Sequence, residues 1–107
     1  MKKDWEQLEE LILAYVKELD HYAKRCPGSG NKGRKGDIVT SINLGIEIKD
    51  RNTKSPYDEK WLSKCAEEIP LHSQKIPIVV TRNSEGKIRV HLDWSDFWEI
   101  YKKSIFR

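Results

Sequence analysis

Apolar residues recur at helical spacing from the start of the chain. Trp5, Leu8, Leu11, Ile12, Tyr15, Leu19 and Tyr22 follow the 3.6-residue period, while Glu6, Glu9, Glu10, Lys17 and Glu18 occupy the polar positions. The pattern predicts a helix over 4–24, with Asp4 as N-cap, Gln7 as its capping-box partner and Pro27-Gly28 as the stop. Residues 26–36 have loop composition, with four glycines and a proline. The period then changes to two. Ile38 and Val39 form one strand, a tight turn follows at Ser41-Ile42-Asn43, and Leu44 to Lys49 form the next strand. In that second strand Leu44, Ile46 and Ile48 share one face, and Glu47 and Lys49 share the other.

A second helix is predicted from Ser55-Pro56 to Ile69, because serine caps, proline suits the first turn and Asp58 and Glu59 favour the positive helix end. Pro70 stops it. Residues 76–82 read as a buried strand, Asn83 to Gly86 as a hairpin turn and 87–92 as the returning strand. Ser95 is expected to cap a last helix with Phe97, Trp98, Ile100 and Tyr101 as its apolar residues. The order is α-β-β-α-β-β-α, an α/β chain of α+β-like character with a mixed central sheet flanked by helices. The helix between two strands implies a crossover. Without repeats or a linker, residues 1–107 read as one domain.

Composition narrows the class. Charged residues make up 35% of the chain, yet ten aromatics supply bulk for a core, which argues against disorder. The formal charge of +3 is too small to imply a nucleic-acid partner by itself. No apolar run is long enough to span a bilayer, and the acidic, amphipathic start does not resemble a signal peptide, so a cytoplasmic protein without membrane contact is expected. Cys26 and Cys65 form no CxxC pair, which argues against structural zinc and for reduced thiols.

The chemistry concentrates in Gly36-Asp37-Ile38-Val39 and Glu47-Ile48-Lys49. Asp37 and Glu47 lie ten positions apart on neighbouring strands. Carboxylates that share one space repel each other, and a hard cation such as Mg²⁺ relieves the repulsion. Lys49 points to the same face as Glu47. An ammonium there would orient a nucleophilic water or stabilise charge on a phosphate. Arg25, Lys32, Arg34 and Lys35 precede Asp37 and would contact DNA phosphates in a salt-sensitive, sequence-independent way, and Arg51 would extend that surface.

This arrangement resembles the PD-(D/E)XK nuclease superfamily, whose signature here reads Asp37…Glu47-Ile48-Lys49, with Gly36 where a proline is usual. Arg25-Cys26-Pro27-Gly28-Ser29 looks like the arginine-x-x-Gly-Ser segment of archaeal-type and phage Holliday junction resolvases. The resemblance runs from about residue 6 to residue 82. It implies a restriction-endonuclease-like core and Mg²⁺, or Mn²⁺ in its place. The metal would be held by Asp37, Glu47, the Ile48 carbonyl and Glu9, with Glu10 as the neighbouring option. It also implies Ser29 at a phosphate and a homodimer acting on branched or duplex DNA in recombination or repair. The competing readings are another nuclease on the same core (nicking, repair or restriction-type) and a non-catalytic DNA-binding module.

His21, His72 and His91 are scattered and read as structural. Lys64 reads as solvent-facing. Trp94, Phe97 and Trp98 read as core more than as base-stacking platforms, with a dimer contact as the further option.

Overall fold

The computed structural model describes residues 4–26, 38–70 and 73–105. In chain order the elements are α1 (Asp4–Val16), β1 (Lys24–Arg25), β2 (Ile38–Val39), β3 (Leu44–Asp50), α2 (Glu59–Glu68), β4 (Ile76–Arg82), β5 (Ile88–His91) and α3 (Trp94–Ile105). The strands form a five-stranded sheet in the order β1-β2-β3-β4-β5. β3 and β4 run parallel and every other pair is antiparallel, so the sheet is mixed and the class is α+β. The parallel pair is what the α2 crossover requires.

The alternation read in β3 is the alternation observed. Ile46 and Ile48 are buried with Leu8 and Val16 of α1 and with Ile38, Ile78 and Val80. Gly45 lies on the opposite face beneath α2, where a Cβ would come within 2.6 Å of the Ile69 side chain. The buried Cys65 thiol of α2 points at the carbonyls of Gly45 (3.5 Å) and Ile78 (3.8 Å). α1 therefore covers one face of β3 and α2 the other. β4 tolerates Pro77 because Ile76 donates to Asn43 on the β3 side, so the position of Pro77 faces the β5 side. β5 pairs only with Val79 to Arg82, leaving no ladder bond for Pro77 to break.

Four expectations change. First, the helix predicted over 4–24 ends at Val16, and Lys24–Arg25 become an extra strand on β2. Leu19 and Tyr22, read as part of the apolar stripe, are 78% and 93% exposed. The cause is Asp20, whose carboxylate accepts from Ser41 N–H (2.7 Å), Ser41 Oγ (2.9 Å), Thr40 Oγ1 (3.1 Å) and Tyr22 N–H (3.0 Å). This bracket binds the end of α1 to the β2–β3 turn, so continuing the helix would sacrifice four bonds to a charged acceptor. Second, α2 starts later than Ser55: Asp58 is its N-cap, with extended backbone and a side chain accepting from Lys60 N–H. Third, α3 starts at Trp94, with the Asp93 carbonyl accepting from Phe97 N–H, so Ser95 lies inside the helix. Fourth, Trp94, Phe97 and Trp98 are exposed; none of α3 is buried.

The hydrogen bonds from the Ser41 backbone and hydroxyl hold the Asp20 carboxyl at about 2, below its ordinary 3.8. A depressed carboxyl stabilises the fold above its unfolded value, and that contribution disappears as pH falls from 3.8 toward about 2. Asp20→Asn should flatten this part of the acid-unfolding curve and lower the neutral-pH melting temperature by roughly 5–10 °C. Thermal melts of both proteins across that pH range check it; parallel acid limbs would rule out the bracket.

Candidate functional site

Glu47 and Lys49 leave β3 on the α2 face, where their side chains are half-buried. Lys49 Nζ lies 3.9 Å from Glu47 Oε1. The same ammonium lies 5.7 Å from the centre of the Trp61 ring, and Arg51 Cζ lies 5.4 Å from that centre. Tyr57 meets Trp61 edge-on at 6.3 Å and 89°. A half-exposed ion pair at this distance is worth less than about 1 kcal/mol. A cation over an indole contributes a similar amount, about 0.5–2 kcal/mol, so the ring restricts Lys49 at least as much as the carboxylate does. Trp61 was not singled out in the sequence. The available signal was two cations at alternate positions, Lys49 and Arg51, followed by an amphipathic helix containing a tryptophan. Lys64 of α2, read as solvent-facing, is exposed.

Asp37, Ser29, Lys32, Arg34 and Lys35 lie outside the described residues, as does most of the loop read over 26–36. The described chain resumes at Ile38, whose register partner is Ile46. The residue that follows Asp37 therefore stands opposite the residue that precedes Glu47. Ile48 is buried opposite Val80, so only its backbone is available as a ligand.

Glu9 and Arg25 form an ion pair. Glu9 is buried, and Arg25 Nε donates to its Oε1 at 2.9 Å. Arg25 Nη1 lies 3.8 Å from Glu10 Oε1, and the guanidinium is 5.9 Å from the Trp5 ring centre. Arg25 is opposite Ile38, and Ile38 is opposite Ile46. Directly paired residues share a face, so the Glu9–Arg25 pair stands on the Ile46 side of the sheet. Glu47, the next residue along, projects from the other side. Two residues read separately, as a metal ligand and a DNA contact, are thus bonded to each other.

The C-terminal ends of β3 and β4 hold a second polar group. Arg82 donates to Asp50 through Nε (3.3 Å) and Nη2 (2.5 Å), and Nη2 also reaches the Asp4 carbonyl (2.8 Å). An open cleft of about 580 Å³ lies beside this clamp, lined by Trp5, Arg51, Asn52 and Asn83 among others. Asn83 is committed to structure: its Oδ1 accepts from Glu85 and Lys87 N–H, and its Nδ2 donates to the Lys54 carbonyl. Gly86, at φ 81°, closes that turn in a conformation favouring glycine.

Of the three histidines, His21 is exposed, His72 lies outside the described residues and His91 is half-buried. His91 Nε2 lies 2.9 Å from Thr81 Oγ1, and its ring stacks on Tyr57 at 4.3 Å. Burial, aided by the nearby Arg89 charge, pushes the His91 pKa below its ordinary value. Burial, followed by the charges of Glu59, Asp93 and Asp58, pushes Tyr57 up. Both shifts favour neutral rings, which suits a packed stack.

Together these elements define an α+β protein in which a lysine and an arginine share one tryptophan ring and the lysine is also paired with an acid on the same strand face. No family model, curated protein or solved structure matches the chain. Among the described residues, no helix is long and apolar enough to cross a membrane.

Proposed function

We propose that the chain is a metal-dependent DNA endonuclease of the PD-(D/E)XK kind, with Asp37, Glu47 and Lys49 at its catalytic centre. We further assign it a preference for branched DNA, as in the Holliday junction resolvases that its Arg25-to-Ser29 segment resembles. One observation carries the reading: Glu47 and Lys49 lie side by side on a strand whose antiparallel neighbour pairs Ile38, the residue after Asp37 in sequence, with Ile46, the residue before Glu47. The order of α1, an antiparallel strand pair, α2 and a parallel strand supports a restriction-endonuclease-like core.

The donor set suits a hard cation. Glu47 supplies a half-buried carboxylate, Ile48 a backbone carbonyl and Asp37 the second carboxylate. Among the described residues no three His, Cys, Asp or Glu side chains cluster, and Asp37 lies outside that set. Glu9 is the weakest candidate ligand, because Arg25 already compensates its charge. Mg²⁺, or Mn²⁺, would supply an activated water and offset charge on the scissile phosphate.

The chain's own groups do the rest. Lys49, held by Glu47 and Trp61, presents a positioned ammonium to a phosphate oxygen, where developing charge is stabilised most. Arg51, on the same ring, binds the adjacent backbone. Ser29, Lys32, Arg34 and Lys35 would add phosphate contacts that weaken steeply with salt. Cutting two strands symmetrically requires two sites, which a two-fold homodimer provides.

The test is incubation with a labelled four-way junction, plain duplex and single strand, with and without Mg²⁺, beside Asp37→Asn. Symmetric, metal-dependent junction cutting supports the full proposal. Equal cutting of duplex leaves a nuclease of another kind, nicking, repair or restriction-type. No cutting in any metal, with DNA still bound, leaves a binding module. If Trp61 positions Lys49, Trp61→Ala should lower kcat about tenfold with a smaller change in KM, and Trp61→Phe should recover most of it. A rise in KM with kcat unchanged, or no rescue by Trp61→Phe, would exclude that role.

A further inference from the structure

α3 is the least covered element of the fold. Trp94, Phe97, Trp98, Tyr101 and Ile105 lie within one stripe at helical spacing, and all five are exposed. Their rings form a ridge: Trp94 stacks on Trp98 and Trp98 on Tyr101, both at 5.7 Å, with Phe97 flanking at 5.5 Å from Trp94. By fractional exposure the ridge presents on the order of 500 Å² of apolar surface, taking about 150–250 Å² per aromatic side chain. Monomers rarely leave so large an apolar patch uncovered. That is more than half of the roughly 800 Å² per partner of a standard protein–protein interface, before any flanking polar atoms are added.

The chemistry of the ridge selects its occupant. The stripe itself carries no charge, which does not suit a phosphate backbone. The polar side of the helix balances Asp96 and Glu99 against Lys102 and Lys103, and Glu99 is bonded to Lys102 at 2.9 Å. A membrane-surface helix carries excess lysine and arginine there instead. The seam Trp94, Trp98, Tyr101, Ile105 has spacings of four, three and four. That spacing reads the same in both directions, so a second copy running antiparallel meets it in register, with Trp98 against Tyr101 and Trp94 against Ile105. The acidic first half and basic last half of the helix also favour antiparallel alignment.

We infer that α3 is the surface through which two copies of this chain associate, ridge against ridge and antiparallel about a two-fold axis. The inference does not depend on DNA cleavage, and its readout is mass. Sedimentation velocity of the full chain over a micromolar concentration series should show a dimer. Trp98→Glu/Tyr101→Glu should raise the dimer dissociation constant by about 100-fold or more. Since α3 buries no side chain, that variant should keep the wild-type circular dichroism of the remaining elements. In a Cys26→Ser background, Trp94→Cys/Ile105→Cys should form an interchain disulfide, whereas Trp94→Cys alone should not. A wild-type monomer throughout the series, a dimer indifferent to Trp98→Glu/Tyr101→Glu, or cross-linking by Trp94→Cys alone overturns the inference. So does a monomer whose double variant instead loses affinity for duplex DNA or anionic vesicles.

Discussion

Asp37→Asn is expected to lower Mg²⁺-dependent cleavage by about a thousandfold or more while leaving DNA affinity within a few-fold of wild type. The substitution keeps the shape of the side chain and removes one of the two carboxylates that would hold the ion. DNA binding should survive, because the phosphate contacts assigned to Lys32, Arg34, Lys35 and Arg51 do not involve Asp37. Glu47→Gln should be of similar severity. Lys49→Ala should also lower kcat, but without weakening Mg²⁺ affinity, since an ammonium is not a ligand. Glu9→Gln provides the contrast. If Glu9 serves mainly to hold Arg25, its replacement should reduce stability and change kcat less than about threefold. Single-turnover cleavage and Mg²⁺ titration calorimetry separate these effects. Cleavage by Asp37→Asn at the wild-type rate would remove the catalytic centre from this hairpin.

Arg82→Met should be the most destabilising substitution outside the hydrophobic core, at about 3 kcal/mol. Arg82 makes two charge-assisted bonds to Asp50 and one to the Asp4 carbonyl, so one side chain joins the ends of β3 and β4 to the start of α1. Its side chain is 22% exposed and that of Asp50 11%, so removing the guanidinium leaves a mostly buried carboxylate poorly compensated. The hydrogen bonds that Arg82 donates to Asp50, opposed in part by burial, hold Arg82 protonated more firmly than an ordinary arginine. Melting should fall by roughly 10–20 °C for a chain of this size. Asp50→Asn/Arg82→Met should recover at least about 1 kcal/mol of the loss, because it leaves no buried charge behind. Urea unfolding of the two singles and the double measures the coupling. A loss below about 1 kcal/mol in Arg82→Met would show that the clamp contributes little.

Local patterns in this chain predicted local structure well. Alternation in Leu44 to Lys49 specified which residues of β3 share the core face, where Ile46 and Ile48 are buried and Leu44 half-buried, and the apolar run from Ile76 gave β4 with its observed ends. Pro70 and Gly86 marked the end of α2 and the hairpin turn. The candidate chemistry on one strand was legible for the same reason: a period of two places Glu47 and Lys49 together wherever the strand lies.

What failed depended on partners distant in sequence. The stripe from Trp5 to Tyr22 is a valid helical pattern, but Asp20 accepts from Thr40 and Ser41, and no local rule reveals donors about twenty residues away. Glu9 and Arg25 are sixteen residues apart, and their pairing needs β1, which exists only because β2 is there to receive it. Lys49 meets Trp61 only after the crossover brings α2 across the sheet. The aromatic positions of α3 looked like core because their spacing is that of a buried stripe, yet among the described residues no element covers them. The sequence by itself determined the periods, most breaks and the residue types available for chemistry, since these follow from backbone geometry and side-chain shape. Only the tertiary structure decided which charges pair and which aromatic surfaces stay open, because those outcomes depend on what the folded chain brings into contact.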